Sequence, residues 1–344
     1  MIYPTKPKPG DRVAVLSPSA GLPGAYPEVY ELGLARLADE LGLVPVEFPT
    51  TRRMASAADR AADLHAAFTD PTITSVMASI GGDDQITVLG HLDVDLLRAN
   101  PKPFFGYSDN TNLLNFLFNA GIVSYHGGSV MVHLGRNGAT NPESMDSLRA
   151  ALFTSGWYDL APATSWTDEP GVDWGRPETL ERPPAMFPAD GWTWHNADRV
   201  VSGRSWGGNI EIISWLLQVG RDIRPVSEYA AHVLFLETSE EMPPAAEVYY
   251  TLRSLGERGL LQQFAAVLVA RPKAWERGRS NEPSVKADYV NGQRAAVLRA
   301  FSEYAPDTMI VFNVDFGHTD PQLIIPNGGE IRVDGVDRTI SVRY

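Results

Sequence analysis

The sequence predicts an α/β protein in two parts, a parallel sheet first and a mixed α/β unit after it. Three observations carry this. Apolar runs of strand length alternate with runs of helical spacing through the first third, joined by short links. Three of those strands end in small or polar residues: Ser17-Pro18-Ser19, Gly81-Gly82-Asp83 and Tyr107-Ser108-Asp109. From about Ser155 to Arg199 the composition turns to Pro, Asp and Trp, and a second set of elements follows. Alternation with short links implies right-handed crossovers and a flavodoxin- or Rossmann-like sheet covered on both faces. Ligands of such sheets bind at the carboxyl ends of the strands.

In chain order, RVAVLSPSAG reads as a buried strand running into a loop, and YPEVYELGLARLADELGL as a helix ending at Gly42. VPVEFP is a short strand, and SAADRAADLHAAF a helix with Ser56 as its N-cap. ITSVMASIGG is a strand closed by paired glycines, followed by a short helix in DDQITVLGHL. KPFFGYS, DNTNLLNFLFNAG and IVSYHGG read as strand, helix and strand. The Trp-rich stretch lacks periodicity and reads as a linker or elaborated loop.

Beyond it, RVVSGRSWGGN, HVLFLETSE, FAAVLVARP and MIVFNVDFGH are strands. IEIISWLLQVG, PPAAEVYYTLRSLGERG and QRAAVLRAFSEYA are helices. The final QLIIPNGGEIRVDGVDRTISVRY alternates and is broken by Asn-Gly and Asp-Gly, so it reads as hairpins. The expected partition is residues 1–155, an insert at 156–198, and residues 199–344.

Composition narrows the function. The 344 residues carry a net charge of -13, which argues against nucleic acid or an anionic membrane as partner. There is no cysteine, which removes thiolate nucleophiles, disulfides and zinc–thiolate sites. It also removes a cysteine-dependent amidotransferase, another enzyme with a strand-to-helix elbow. The first residues hold too short an apolar run for a signal peptide, so a cytoplasmic protein is expected.

Ser108 stands where the strand FFG meets a helical pattern. One reading is a helix N-cap, since Ser, Asp and Asn before an apolar run satisfy free amides. The other is a nucleophile elbow, in which a tight turn lifts the hydroxyl toward solvent and the helix N-terminus favours an oxyanion. Gly106 supplies the small residue two positions before the serine; Asn110 departs from the small residue expected two after. A nucleophilic serine needs a base and an orienting carboxylate.

Of seven histidines, His318 follows the apolar strand MIVFNVDFG and precedes a loop, where a base would sit. His126 and His133 flank a Gly-rich turn without metal-ligand spacing. Glu237 ends HVLFLE, either as a solvated strand end in the company of Glu240 and Glu241 or as the group that fixes the histidine tautomer. Gly81-Gly82 is either a tight turn or a backbone that approaches a ligand.

These blocks resemble the serine peptidase family of LD-carboxypeptidases, and within it the microcin C immunity branch. The resemblance rests on LSPSAG, SIGGDD, FGYSDNTNLLNFL, SGRSWGGNIEII, LFLETSEE and FGHTDPQLIIPNGG, which follow the family's order along nearly the whole chain. It implies Ser108 as nucleophile, Glu237 as orienting acid and His318 as base, with oxyanion donors from the backbone of Gly82 and Asp109. It places the active site in an interdomain cleft and implies a homodimer, with no metal or organic cofactor.

Family substrates are murein tetrapeptides or, in the immunity branch, amides joining a peptide to a nucleotide-like group. The Ile80-Gly81-Gly82-Asp83-Asp84 turn follows the immunity branch. Gly81, Asp83 and Asn209 then line the substrate site, and Trp166 or Trp174 either stacks on a nucleobase or packs the domain junction. Ser205-Trp206 departs from the aliphatic pair more usual before the glycines, which bears on pocket shape. Arg204, Arg271 and Lys273 are the basic residues near the relevant blocks, with Arg271 equally readable as a surface residue. A module that binds such a ligand without cutting it is the alternative from another class.

Overall fold

Each apolar run of the first third becomes a strand. In the computed structural model, which describes residues 1–169 and 173–344, these are β1 (Arg12–Leu16), β2 (Val44–Glu47), β3 (Ile73–Ala78), β4 (Phe104–Gly106) and β5 (Ser124–His126). They pair in parallel in the order β2-β1-β3-β4-β5. The helices between them are α1 (Pro27–Asp39), α2 (Ala57–Thr69), α3 (Val94–Ala99) and α4 (Thr111–Asn119), with α5 (Pro142–Phe153) after β5. Ser56 caps α2, its Oγ accepting from the Asp59 amide at 3.1 Å. Buried Leu113, Leu114, Leu117 and Phe118 give α4 its inward face.

The rear of the chain forms β6 (Trp157–Leu160), β7 (Ser165–Trp166), β8 (Phe187–Pro188), β9 (Thr193–His195), β10 (Val200–Asn209), β11 (His232–Glu237), β12 (Phe264–Ala270), β13 (Met309–Val314), β14 (Ile325–Asn327), β15 (Glu330–Asp334) and β16 (Thr339–Arg343). Eight of these make a mixed sheet in the order β6-β16-β15-β10-β11-β12-β13-β9. Its centre, β10 to β13, is parallel, with crossovers through α6 (Ile210–Val219), α7 (Ala245–Glu257) and α8 (Pro283–Tyr304). Gly220 ends α6 in the left-handed region at φ 63°, a conformation glycine adopts without a Cβ clash.

Three expectations change. The tail holds one hairpin, β15–β16, but β14 leaves for the first sheet and pairs antiparallel with β5, Ile325 opposite His126. The free edge of β5 offers unpaired amides and carbonyls, and an apolar strand that covers it buries Ile325 completely. The short helix expected after Gly82 resolves into two 3-10 turns, Gln85–Thr87 and Leu89–His91. The Trp-rich stretch is also partly sheet: β9 extends the second sheet beside β13, and the Trp192 indole donates to Asp315 at 2.9 Å.

One buried apolar cluster joins Val13, Met77 and Phe105 of the first sheet to Phe235, Leu268 and Val311 of the second. The carboxyl ends of β3, β4, β11 and β13 therefore meet near one junction. Among the described residues no helix is long and apolar enough to cross a membrane.

Candidate active site

Ser108 lies one residue beyond Tyr107, which follows β4, and its backbone sits at φ 60°. A left-handed conformation costs a non-glycine residue about 1–3 kcal/mol and persists only where its surroundings impose it. Here they do. Asn110 is buried and donates to the Tyr107 carbonyl at 3.1 Å and the Ile80 carbonyl at 3.2 Å. The buried Asp109 carboxylate accepts from the Gln85 amide at 2.9 Å, from Asn112 at 2.8 Å and from the Ser19 hydroxyl. A Cβ on Gly106 would lie 3.0 Å from Asn110, so that position requires a glycine-sized residue. Ser108 caps nothing: neither the 3-10 turn at Ser108–Asn110 nor α4 has a side-chain cap, and the Ser108 hydroxyl has no hydrogen bond among the described residues.

Gly81 faces the same turn. A Cβ there would come 2.9 Å from Ser108 Cβ and 3.1 Å from its Oγ. The 81–82 backbone is thus packed against the serine, with Asp109 N–H adjacent to the same point.

Glu237 ends β11 opposite Asn209 of β10 and is 2% exposed. Its Oε2 lies 2.6 Å from His318 Nδ1, and its Oε1 lies 3.7 Å from His126 Nε2. Gly317, at φ 86°, brings the loop onto the glutamate; a Cβ there would stand 2.8 Å from Glu237 Cβ. The His318 ring packs on Tyr107, centroids 4.9 Å apart, and Tyr107 also meets His133 at 5.3 Å. His318 Nε2 is 3.0 Å from Glu240 Oε2, and the Glu240 side chain is 60% exposed.

Burial opposes charge on His318, but the Glu237 and Glu240 carboxylates outweigh it and raise the imidazole to about 10. Burial likewise works against an ionised Glu237, yet the adjoining His318 and the nearby His126 ring hold its carboxyl well below the usual range. His133 moves the other way, down to about 3, through burial and then the repulsion of its two histidine neighbours.

Two cavities lie near this junction, with no lining residue in common among the described residues. One, of about 640 Å³, is lined by Gly82, Asp83, Ser108, Asn209 and Glu240 among others. The second, of about 440 Å³, is lined by Tyr107, His133, His318, Trp174 and Lys273 among others. Glu240, which lines the first, touches His318, which lines the second, and Tyr107, next to Ser108 in the chain, packs on that ring. No hydrogen bond joins Ser108 to His318 among the described residues, since Nε2 is engaged by Glu240.

Of the other sequence candidates, Asn209 is 1% exposed, accepts the Ile212 amide at 3.0 Å and leaves its Nδ2 without a partner among the described residues. Trp174 lines the second cavity beside Tyr26, their centroids 5.6 Å apart. Trp166 lines neither cavity and lies under the Arg271 guanidinium at 4.7 Å. Arg271 is not a surface residue; it is 6% exposed and pairs with buried Asp315 at 3.2 Å. Arg204 lines neither cavity and stands opposite Glu330 in the β10–β15 ladder.

His126 and Glu240 acquire positions that the sequence left open. Only the repeated acid of ETSEE marked Glu240, as company for a strand end. Among the described residues no cluster of three or more His, Asp or Glu could hold a metal ion.

The front of the chain, residues 13–127, matches the family model described as the LD-carboxypeptidase N-terminal domain, and residues 202–333 match the LD-carboxypeptidase C-terminal domain. The microcin C7 self-immunity protein MccF of Escherichia coli is 25% identical over 289 residues, covering 83% of this chain and 78% of that protein. The structure of an MccF-like protein from Bacillus anthracis superposes with a TM-score of 0.85 at 23% identity, covering 100% of this chain and 99% of that one. The structure of MccF in complex with glutamyl sulfamoyl guanosine gives 0.82 at 21% identity, covering 99% and 98%.

Proposed function

The chain belongs to the LD-carboxypeptidase family, and from that premise we propose that it is a serine hydrolase acting on an amide bond near the carboxyl end of a peptide or of a peptidyl-nucleotide. One observation carries the reading: a serine with a free hydroxyl, held at φ 60° at a strand-to-helix elbow, opens on the cavity from which Glu240 touches a His318–Glu237 pair.

In this reaction Ser108 attacks the carbonyl carbon. His318 Nε2 takes the hydroxyl proton once Glu240 has left it, and Glu237 holds Nδ1–H and stabilises the imidazolium. The developing oxyanion is held by the N–H groups of Gly82 and Asp109. His318 then delivers the proton to the leaving nitrogen, and water attacking the acyl-enzyme repeats the sequence in reverse. The peptidyl-nucleotide reading draws on the relative bound to glutamyl sulfamoyl guanosine and on Trp174 in the second cavity; a murein tetrapeptide is the alternative substrate.

Ser108→Ala should lower kcat by at least about 10³-fold on whichever amide is cut, with the fold retained by circular dichroism. Turnover near the wild-type rate would remove Ser108 from the mechanism. Labelling of a different residue by a fluorophosphonate, located by peptide mass, would do the same.

A further inference from the structure

The two cavities differ in charge. The one that Ser108 opens into is lined by Asp83, Glu211, Glu240, Glu241 and Glu247, and among its described lining residues there is no lysine, arginine or histidine. The one that His318 opens into mixes charges: Lys273, Arg136 and Arg277 share its wall with Asp168, Glu169, Asp173 and Asp320, Arg136 pairing with Asp320 and Arg277 with Asp173, beside the rings of Tyr26 and Trp174. Asp83, Glu211, Glu241 and Glu247 have no ion-pair partner among the described residues; Glu240 has only His318.

The chemistry orients a substrate across this divide, an argument that rests on the roles proposed above for Ser108 and His318. The base delivers its proton to the leaving nitrogen, so the leaving group lies toward His318 and the aromatic cavity of mixed charge. The acyl carbon is bonded to Ser108 beside Gly82, so the acyl residue lies in the acidic cavity. We infer that the enzyme selects an acyl residue whose side chain is an apolar stem ending in a cation, an ammonium or a guanidinium.

Two further features of the cavity point to such a guest. Glu211 lies at its wall with Oε1 accepting the Ser239 amide at 2.9 Å, while its buried Oε2 has no partner among the described residues. Asn209, 1% exposed, lines the same space with its Nδ2 unpartnered, a donor for a carbonyl of the same residue. Between the acids, Ile210, Trp215 and Val248 provide apolar wall for a methylene stem. A carboxylate side chain placed here would meet like charge, a juxtaposition that disfavours binding. An ammonium would be drawn in and would also relieve the unpaired Glu211.

The test compares lysyl-, leucyl- and glutamyl-sulfamoyl adenosine as probes. With the wild-type protein at low salt, kcat/KM should fall in that order, by about 100-fold from first to last, and the spread should narrow as salt is added. Equal rates, or a preference for the glutamyl compound, would overturn the inference. The double variant Glu241→Gln/Glu247→Gln should compress the spread to about tenfold or less; an undiminished spread would place the selectivity elsewhere and overturn it too.

Calorimetric titration of the Ser108→Ala protein with the same three compounds reads the preference without turnover. If wild-type protein cuts none of them but the lysyl compound binds tightest, the proposed reaction falls and the charge selectivity stands. Equal binding, or no binding of any of the three, overturns the selectivity whatever the reaction.

Discussion

The serine and the histidine are held by different physics. Around Ser108 the constraints are backbone sterics and short neutral or singly charged hydrogen bonds: Gly81 against the side chain, Asn110 and Asp109 pinned inside, a turn with no room to relax. Around His318 they are charges, with one carboxylate on each ring nitrogen. One of these, Glu237, is buried and fixed; the other, Glu240, is 60% exposed on its loop. The proposed nucleophile is therefore preset in geometry, and the proposed base is set by electrostatics with one solvent-exposed member. Shape should dominate the response to mutation in the first region, and pH in the second.

The largest break in that contrast is removal of the proposed base. His318→Ala should lower kcat by about 10³-fold or more, with Glu237 left buried and unpaired but for His126, and with a measurable loss of thermal stability. A small effect on rate would mean that the charged region serves structure alone.

Next comes the steric arm. Gly81→Ala introduces a Cβ 2.9 Å from Ser108 Cβ; displacing the serine should lower kcat by about 10²-fold with little change in Tm. An active Gly81→Ala protein would show that the elbow tolerates movement.

The electrostatic arm is sharpened by Glu240→Gln. In the proposed mechanism His318 acts as a base only when neutral, so the acid limb of log kcat/KM should follow its pKa, which the two carboxylates raise to about 10. Activity should rise with pH through neutrality. Loss of the Glu240 charge lowers that pKa, and the limb moves to lower pH. Near pH 7 the gain in kcat/KM should be about tenfold for each unit of displacement. Glu237, Tyr107 and His133 also face the ring, and Lys273 stands near Glu240; none changes in this variant. An unmoved limb would show that Glu240 has already left His318 in solution.

The smallest effect has the opposite sign. Ser108→Gly relieves the left-handed backbone, so the inactive variant should be more stable by about 1 kcal/mol, with Tm raised by a few degrees in a thermal melt.

The contrast also explains what was legible in the sequence. Ser108, Glu237 and His318 were readable because each ends an apolar run, and a strand end places a polar residue at the sheet's rim. The elbow itself was ambiguous: Ser-Asp-Asn before a helix is the pattern of a cap, and only φ 60° with a free hydroxyl separates the two readings. Contacts that depend on loop path were beyond reach. Nothing in ETSEE distinguishes the glutamate that turns to the imidazole from its neighbours, and nothing near Arg271 announces its buried partner Asp315.

The tail misled for a related reason. Asn-Gly between alternating runs ordinarily closes a hairpin, but the run before it found a better partner in the open edge of β5. The helix α5, begun by Asn141 and Pro142, lies in a stretch whose weak apolar stripe gave no reading.

That borrowed strand has a consequence for how the molecule comes into being. The amide of Gly128 donates to Gln322, 194 residues further on, and β14 follows three positions later to close the sheet that carries Ser108. A chain emerging from the ribosome can lay down β1 to β5 early, yet their outer flank stays open until almost the whole polypeptide has been synthesised, and His318 arrives in the same late segment. On the proposed mechanism, hydrolytic competence would be timed by translation: an unfinished chain carries the serine without the parts proposed to arm it.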